Sequence, residues 1–309
     1  MSETLDYRQI EGLSLFELME KALDVKLAER GARFGLCTIT NAKSGGCTED
    51  CAFCAQSSRA RGSAPLYGFK DMDTIVREAE EAARSGAERF SIVTSGKGPS
   101  PALIDKVAQC ISKIKGEVDI SVCASLGIMD EAGLKTLKDA GLSRYHHNLE
   151  ASKGFFPRVC TTHTYEERVE TIENARRAGL EVCAGGIIGL GEGEQDRFNL
   201  ARELADLQVD SCPINILVPI SGTPLEAMET LSLVSILRTV AMFRLLLPWA
   251  AIRIAGGRER VLADAQIMAF MAGADAMLIG GYLTTRGRQV EMDLDMVSKV
   301  KELWKAHRR

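Results

Sequence analysis

The chain has 309 residues, of which 46% are hydrophobic and 26% charged, and its formal net charge is −4. This composition is typical of a soluble globular protein. The negative charge argues against nucleic acid or an anionic membrane as a partner, because phosphate groups bind to a surplus of Lys and Arg. The N-terminus lacks the basic and apolar segments of a signal peptide, and the longest apolar stretch, near 245–254, is too short to span a bilayer. A cytoplasmic protein is therefore expected.

Short apolar runs alternate with longer amphipathic segments along the chain. Strands are predicted at 36–40, 90–93, 120–123, 144–148, 180–183, 213–218, 252–254 and 276–279. Helices are predicted between them at 72–85, 103–114, 131–140, 165–178, 194–207, 234–246 and 260–271. Gly follows several of these helices, as expected at a helix end, because Gly accepts a positive φ freely.

Eight strands alternating with helices predict a parallel sheet in an α/β protein. Their repetition over about 250 residues matches a closed TIM-type (β/α)₈ barrel, and an open doubly wound sheet is the alternative. We expect a helix at about 13–27, the barrel at about 35–285 and a C-terminal helix at about 293–306. These elements are assigned to one domain, since no Ser/Pro-rich linker marks a boundary.

Three of the nine cysteines, Cys47, Cys51 and Cys54, form a C-x₃-C-x₂-C pattern after the first predicted strand. Three thiolates in one loop can bind three irons of a [4Fe–4S] cluster and leave the fourth iron open. The alternative is a zinc site, but zinc usually takes four ligands, often in C-x₂-C pairs. No Cys or His follows Cys54 at such a spacing, and Phe53 before the last Cys also favours the cluster.

The segment 41–58 around these cysteines resembles the cluster loop of the biotin synthase family, which belongs to the radical S-adenosylmethionine (SAM) superfamily. Similar family segments follow in the same order, as YHHNLE at 145–150, TTHTYEER at 161–168, CAGGIIGLGE at 183–192, PIN at 213–215 and RIAGGRE at 253–259. The resemblance extends from about residue 13 to about residue 303. Several ordered motifs are far more specific than one cysteine triad.

The resemblance implies an enzyme that inserts one sulfur atom into dethiobiotin to form biotin. In this family an electron, supplied by a donor such as flavodoxin or ferredoxin, reaches the [4Fe–4S] cluster and cleaves SAM. The resulting 5′-deoxyadenosyl radicals abstract two substrate hydrogens, and an auxiliary iron–sulfur cluster donates the sulfur. The resemblance also implies a homodimer.

Carried over position by position, the resemblance implies that Cys47, Cys51 and Cys54 hold the SAM cluster. The residues expected to contact SAM itself are Asn148, Glu150, Arg168, Gly186 and Ile187. A forked guanidinium at Arg168 suits the carboxylate of SAM, and glycines let the backbone approach the adenine.

Dethiobiotin is expected to contact Asn148 and Asn215, at the ends of the fourth and sixth predicted strands, where barrel active sites lie. An amide side chain offers a donor and an acceptor, which fits the cyclic urea of the substrate. Either Asn could instead cap the following element. Glu150 could be only an acid at a helix start, and Arg168 a solvated helix residue.

The auxiliary cluster of the family has ligands on the second, third, fifth and seventh strands. Cys123, Cys183 and Arg253 match the last three positions and are expected to act in catalysis through this cluster, but Ser91 stands at the second. A serine oxygen is a poor match for soft iron–sulfide chemistry. Cys37 on the first strand could compensate, because side chains from alternate strands share one layer of a barrel. Alternatively, Cys37 is a small buried apolar residue.

The remaining cysteines, Cys110, Cys160 and Cys212, are expected to be structural. The chain has only four His, so a His-based metal site is not expected. His146 and His147 are expected to find polar partners near the barrel mouth.

Two other functions stay open at this point. A related radical SAM enzyme of the methylornithine synthase or hydrogenase maturase type would not need the set Cys123, Cys183 and Arg253. A non-catalytic zinc or iron–sulfur protein would give no reason for polar residues such as Asn148 and Asn215 to lie at strand ends.

Overall fold

The computed structural model describes residues 6–62, 64–281 and 288–307, in which parallel strands alternate with helices. The strands are β1 (Gly35–Lys43), β2 (Arg89–Thr94), β3 (Ser121–Ser125), β4 (Arg144–His146), β5 (Glu181–Cys183), β6 (Gly186–Ile188), β7 (Ser211–Ile216), β8 (Ala251–Ile254) and β9 (Ala276–Leu278). The α-helices are α1 (Tyr7–Glu11), α2 (Leu15–Arg30), α3 (Met72–Arg84), α4 (Pro101–Glu117), α5 (Glu131–Asp139), α6 (Tyr165–Arg177), α7 (Glu194–Asp206), α8 (Leu233–Leu246), α9 (Gln266–Met271) and α10 (Val290–His307). None of the described helices is long and apolar enough to cross a membrane.

The sheet closes on itself. β1 pairs with β2 on one side and with β9 on the other. β5 and β6 both pair with β7, so they are two halves of the fifth barrel strand. All pairings are parallel and join eight barrel strands, which confirms the predicted (β/α)₈ barrel and rules out the open sheet.

Alternation along each strand separates the outer core from the barrel interior. Phe90 and Ile92 of β2 are buried in the apolar layer beneath the helices. Successive side chains of a strand point to opposite faces, so Arg89, Ser91 and Val93 point towards the barrel axis. The same period of two decides which polar residues of the other strands meet inside the barrel.

Each predicted strand overlaps an observed one, but the fifth strand is interrupted. The amide N–H of Gly185 donates to Oδ1 of Asn148 at 3.2 Å instead of joining the strand ladder. A Cβ at this position would lie 2.0 Å from the carbonyl oxygen of Pro213, so only Gly allows the chain to pass. The interruption produces β6, which the sequence pattern did not indicate.

The helix predicted at 260–271 is wrong in its first half. The chain forms a π turn at Arg258–Leu262 and a 3₁₀ turn at Ala263–Ala265 before α9 begins. The buried guanidinium of Arg258 donates to Asp293 of α10 at 3.1 Å, and this ion pair holds the start of the π turn against α10. The predicted barrel end near residue 285 lies outside the described residues, and the single-domain division stays a prediction.

A buried ion-pair network closes the amino-terminal end of the barrel. Arg244 of α8 and Asp275 are both fully buried, and Arg244 Nη2 lies 3.0 Å from Asp275 Oδ1. The same carboxylate accepts from the amide of Ile252 and from Nε of Arg30. Arg244 also donates to the carbonyl of Gly273. Asp275 therefore joins α2, α8 and β8 through a single side chain.

We expect Asp275→Asn to lower the free energy of unfolding by about 3–5 kcal/mol, because it leaves two guanidinium groups at a buried site without their counter-charge. Denaturant unfolding followed by circular dichroism measures the loss. The matched control is Asp295→Asn, which removes the exposed partner of Lys299 and should change stability little. Equal effects of both substitutions would contradict this prediction.

Candidate active site

A cavity of about 320 Å³ opens at the carboxyl ends of the barrel strands. This is the face on which barrel enzymes carry their active sites. The cavity collects ten of the residues singled out by sequence, namely Cys37, Cys47, Cys51, Cys54, Asn148, Glu150, Arg168, Cys183, Asn215 and Arg253. Of the other predicted site residues, Cys123 is fully buried on β3, and Gly186 and Ile187 lie on β6.

The loop after β1 is held against the segment that precedes α6. Gly45 and Gly46 turn the chain with φ of 75° and 61°. Asp50 Oδ1 then accepts from the amides of Thr161 at 2.8 Å and Thr162 at 3.3 Å. Burial opposes ionisation of Asp50, but hydrogen bonds from the hydroxyl and the amide of Thr161, from Cys160 and from the amide of Thr162 outweigh it and lower the pKa of the carboxyl group. This anchor holds the three cysteines of the loop at the cavity wall.

Cys160, expected to be structural, lies beside the cysteine loop. Its sulfur is 3.8 Å from Sγ of Cys51 and 3.3 Å from Nδ1 of His163, so these three residues could hold a metal ion. The spacing argument against zinc overlooked them because Cys160 lies 109 positions after Cys51. Arg168 donates to Nε2 of His163, however, which leaves the proton on Nδ1, where it faces Glu49. That Nδ1 lacks the free lone pair that a metal requires.

The predicted SAM residues form one connected group. Arg168 Nη1 donates to the carbonyl of Asn148 at 2.8 Å and lies 3.8 Å from Oε1 of Glu150. Burial raises the pKa of Glu150, while Arg168 counteracts the shift. The carbonyl of Glu150 accepts from the amide of Ile187 at 2.8 Å. A Cβ at Gly186 would lie 2.7 Å from that same carbonyl, so glycine is required for this close approach.

Asn215 lines the cavity and also bonds to the backbone. Its Oδ1 accepts from the amide of Gly256 at 2.9 Å, and its Nδ2 donates to the carbonyl of Gly186 at 3.3 Å. These contacts correspond to the structural alternative for Asn215. Within the described part of the chain, one N–H and one lone pair of the amide have no backbone partner, so a ligand could bond to them.

Three cysteines come together deeper in the barrel, on the first, third and fifth barrel strands. Cys37 and Cys183 line the cavity with Arg253 of the seventh barrel strand. Burial raises the pKa of Cys37, and Arg253 opposes this shift. Burial, with the neighbouring Cys37, raises the pKa of Cys123 to about 11. Cys183 acts electrostatically on Cys37, and Cys37 acts on Cys123. These couplings agree with the prediction that side chains from alternate strands share one layer of the barrel interior.

Two further arginines, which sequence reasoning missed, lie beneath this layer. Arg89 Nη1 is 4.0 Å from Sγ of Cys123. Arg89 and Arg144 both form ion pairs with Glu181, at 2.9 and 2.7 Å. Both point inward because they stand two residues before Ser91 and His146 on their strands. Three sulfur donors surrounded by cations are a donor set that suits an anionic iron–sulfur cluster.

The expectation that His146 and His147 satisfy polar partners is wrong for one nitrogen of each ring. Nε2 of both residues is buried and has no hydrogen-bond partner among the described residues. Nδ1 of His146 lies 3.4 Å from Oγ of Ser91, the residue at the second-strand position. Burial lowers the pKa of His146, and Arg144 lowers it further, so the ring is neutral.

Two solved structures share this fold at low sequence identity. Methylornithine synthase has a TM-score of 0.82 and 17% identity, with 99% of this chain and 97% of that chain covered. The hydrogenase maturase HydG from Carboxydothermus hydrogenoformans has a TM-score of 0.81 and 18% identity, with 96% and 75% covered. At such identities the likeness establishes the barrel and not the reaction.

Sequence comparisons distinguish the biotin synthase family from the two other functions left open, a related radical SAM enzyme and a non-catalytic metal protein. Residues 42–204 match the radical SAM superfamily, and residues 213–301 match the Biotin and Thiamin Synthesis associated domain. The biotin synthase of Heliobacterium modesticaldum is 49% identical over 94% of this chain and 89% of that protein. The biotin synthase of Thermotoga neapolitana is 50% identical over 89% and 98%. The cysteine loop lines one cavity together with Cys37 and Cys183. These matches show that the chain belongs to the biotin synthase family of radical SAM enzymes.

Proposed function

We propose that this chain inserts sulfur into dethiobiotin to form biotin, with SAM as the source of the radical. The observation that carries the proposal is that a single cavity is lined by both sets of cysteines, Cys47, Cys51 and Cys54 at its mouth and Cys37 and Cys183 deeper in the barrel. A substrate between the two sets would face SAM on one side and a sulfur source on the other.

At the mouth, Cys47, Cys51 and Cys54 hold a [4Fe–4S] cluster. When bound, this cluster supplies the electron that cleaves SAM to methionine and a 5′-deoxyadenosyl radical. Arg168 binds the carboxylate of SAM through its guanidinium fork. Glu150 accepts hydrogen bonds from the ribose hydroxyls, and its burial beside Arg168 supports that role.

Gly186 and Ile187 offer backbone surface to the adenine of SAM, because no side chain at Gly186 stands in the way. Asn148, whose Nδ2 donates to Oε2 of Glu150 at 3.4 Å, contacts both ribose and substrate. Asn215 binds the cyclic urea of dethiobiotin with the N–H and lone pair that its backbone contacts leave available.

Deeper in the barrel, Cys37, Cys123, Cys183 and Arg253 surround the auxiliary iron–sulfur cluster. When bound, this cluster supplies the sulfur atom of the product. Cys37 takes the role left vacant at Ser91. The electrostatic effects of Cys37 on Cys123 and of Cys183 on Cys37 support a shared site. We further propose that a reducing partner such as flavodoxin or ferredoxin supplies the electron, and that the protein is a homodimer in the cytoplasm.

Replacing Cys51 with Ala should abolish reductive cleavage of SAM, because the cluster loses one of its three protein ligands. Cys47→Ala and Cys54→Ala should behave alike. The measurement is 5′-deoxyadenosine by mass spectrometry after anaerobic incubation with SAM and a reductant. Cys110→Ala, which removes a buried thiol of α4 outside the cavity, is the control. A normal rate in Cys51→Ala would disprove the assignment.

Asn215→Ala should weaken dethiobiotin binding by about 1–3 kcal/mol, or roughly five- to 150-fold, and leave the spectrum of the SAM cluster unchanged. Equilibrium binding of dethiobiotin to the SAM-loaded protein provides the measurement. Asn215→Asp separates the two roles of the residue, because it keeps the acceptor for Gly256 but removes the N–H donors. If affinity is unaltered in both variants, Asn215 is only a structural residue.

Cys37→Ser should lose auxiliary iron and sulfide, keep SAM cleavage and make no biotin, because an oxygen replaces a soft sulfur ligand. Cys123→Ser and Cys183→Ser should behave in the same way, whereas Ser91→Ala should keep its auxiliary cluster. Iron and sulfide counts, Mössbauer spectra and biotin yield decide the outcome. Full auxiliary iron in Cys37→Ser together with loss in Ser91→Ala would assign the ligand role to Ser91.

A further inference from the structure

Cys160 lies beside the cysteine loop but belongs to neither set of proposed cluster ligands. Its sulfur is 3.8 Å from Sγ of Cys51. Cys51 lines the cavity, whereas Cys160 is only 3% exposed. One sulfur of this pair therefore faces small molecules that enter the cavity, and the second sulfur is buried next to it.

The backbone holds the two cysteines close together from both sides. The amide of Ala52 donates to the carbonyl of Val159 at 2.9 Å, and the amide of Thr161 donates to Oδ1 of Asp50 at 2.8 Å. Each cysteine lies between the two residues of its own segment that form these hydrogen bonds. Disulfides join cysteines whose Cα atoms are about 4.4–6.8 Å apart, with an S–S bond of about 2.05 Å. Rotation of the two side chains has to close the remaining gap between the sulfur atoms.

The contacts of Cys160 direct its sulfur to Cys51 instead of the other loop cysteines. Its Sγ donates to Oδ1 of Asp50 at 3.1 Å, the carboxylate that anchors the loop. Cys160 also acts electrostatically on Cys51. Cys54, the competing partner of Cys51 in the C-x₂-C turn, is instead influenced by Cys47.

We propose that Cys51 and Cys160 form a reversible disulfide when the chain lacks its SAM cluster and is exposed to hydrogen peroxide. Peroxide oxidises the Cys51 thiol to a sulfenic acid and is itself reduced to water. The Cys160 thiol then attacks the sulfenic sulfur, which forms the S–S bond and releases a second water molecule. The disulfide stops Cys51 short of the sulfinic acid, which thiols cannot reverse.

This redox switch would control assembly of the cluster. An oxidised Cys51 cannot bind iron, so the loop stays empty until a thiol reductant reopens the disulfide and restores all three ligands. The switch rests on the proposed function in one respect, because it needs Cys51 to be a ligand of the SAM cluster.

The test uses the full-length protein stripped of iron and treated with one equivalent of hydrogen peroxide. Free thiols are then alkylated, and tryptic peptides are analysed by mass spectrometry. The disulfide should join peptide 44–59, which contains the three loop cysteines, to peptide 159–168, which contains Cys160. Fragmentation should assign the bond to Cys51, and dithiothreitol should release both peptides.

Cys160→Ser keeps a hydroxyl donor for Asp50 but cannot form the disulfide. Before oxidation it should assemble the SAM cluster as the wild type does. After excess peroxide, dithiothreitol and reconstitution, the wild type should regain its SAM-cluster iron. Cys160→Ser should lose that iron and contain Cys51 as sulfinic acid. Cys110→Ser, which removes a buried thiol of α4 outside the cavity, is the matched control and should recover like the wild type.

Three results would refute the switch. They are a bond from Cys51 to Cys47 or Cys54 in the oxidised wild type, equal recovery of iron in the wild type and Cys160→Ser, and failure of unoxidised Cys160→Ser to assemble the cluster. A different result would refute the proposed function, namely a reduced wild-type protein that assembles no SAM cluster.

Discussion

The buried contact between thiols and guanidinium groups inside the barrel is the constraint on which the rest of the site depends. Cys37 and Cys123 lie where burial raises their pKa, and Arg89, Arg144 and Arg253 counteract this shift. Without a cluster the thiols can stay neutral, but the arginines retain their charge in a region with little water. Glu181 compensates two of them from the amino-terminal rim of the barrel. The remaining positive charge favours an anionic occupant at the level of the cysteines.

The cysteine loop depends on a second contact, which links two distant parts of the chain. Asp50 lies within the loop and accepts hydrogen bonds from Thr161 and Thr162, just before α6. α6 begins with a capping box in which the side chains of Thr164 and Glu167 bond reciprocally to each other's backbone amides. Arg168 follows directly. The position of the loop and the position of the guanidinium are thus set by the same short segment.

Much of this arrangement could be predicted from local sequence. The cysteine loop could be recognised because it is a compact motif. The alternation of strand and helix patterns predicted every barrel strand, because a (β/α)₈ barrel repeats one unit. Cys160 was missed because its contact with Cys51 bridges 109 positions. Arg144 and the unpaired nitrogen of His146 were missed because they depend on which face of β4 points inward. The prediction of a helix at 260–271 was wrong in its first half, because the ion pair of Arg258 with Asp293 outweighed local helical propensity.

The interruption of the fifth barrel strand connects Asn148, Glu150 and Asn215, which line the same cavity. Where the ladder breaks, Gly185 donates to the side chain of Asn148, and Gly186 accepts from the side chain of Asn215. Backbone groups that would otherwise bond to a neighbouring strand thus orient both amides towards the cavity. The next amide, that of Ile187, bonds to the carbonyl of Glu150, whose φ of 68° is unusual for a residue with a side chain. Two adjacent glycines without Cβ atoms therefore position the side-chain amides of Asn148 and Asn215 and the backbone of Glu150 together.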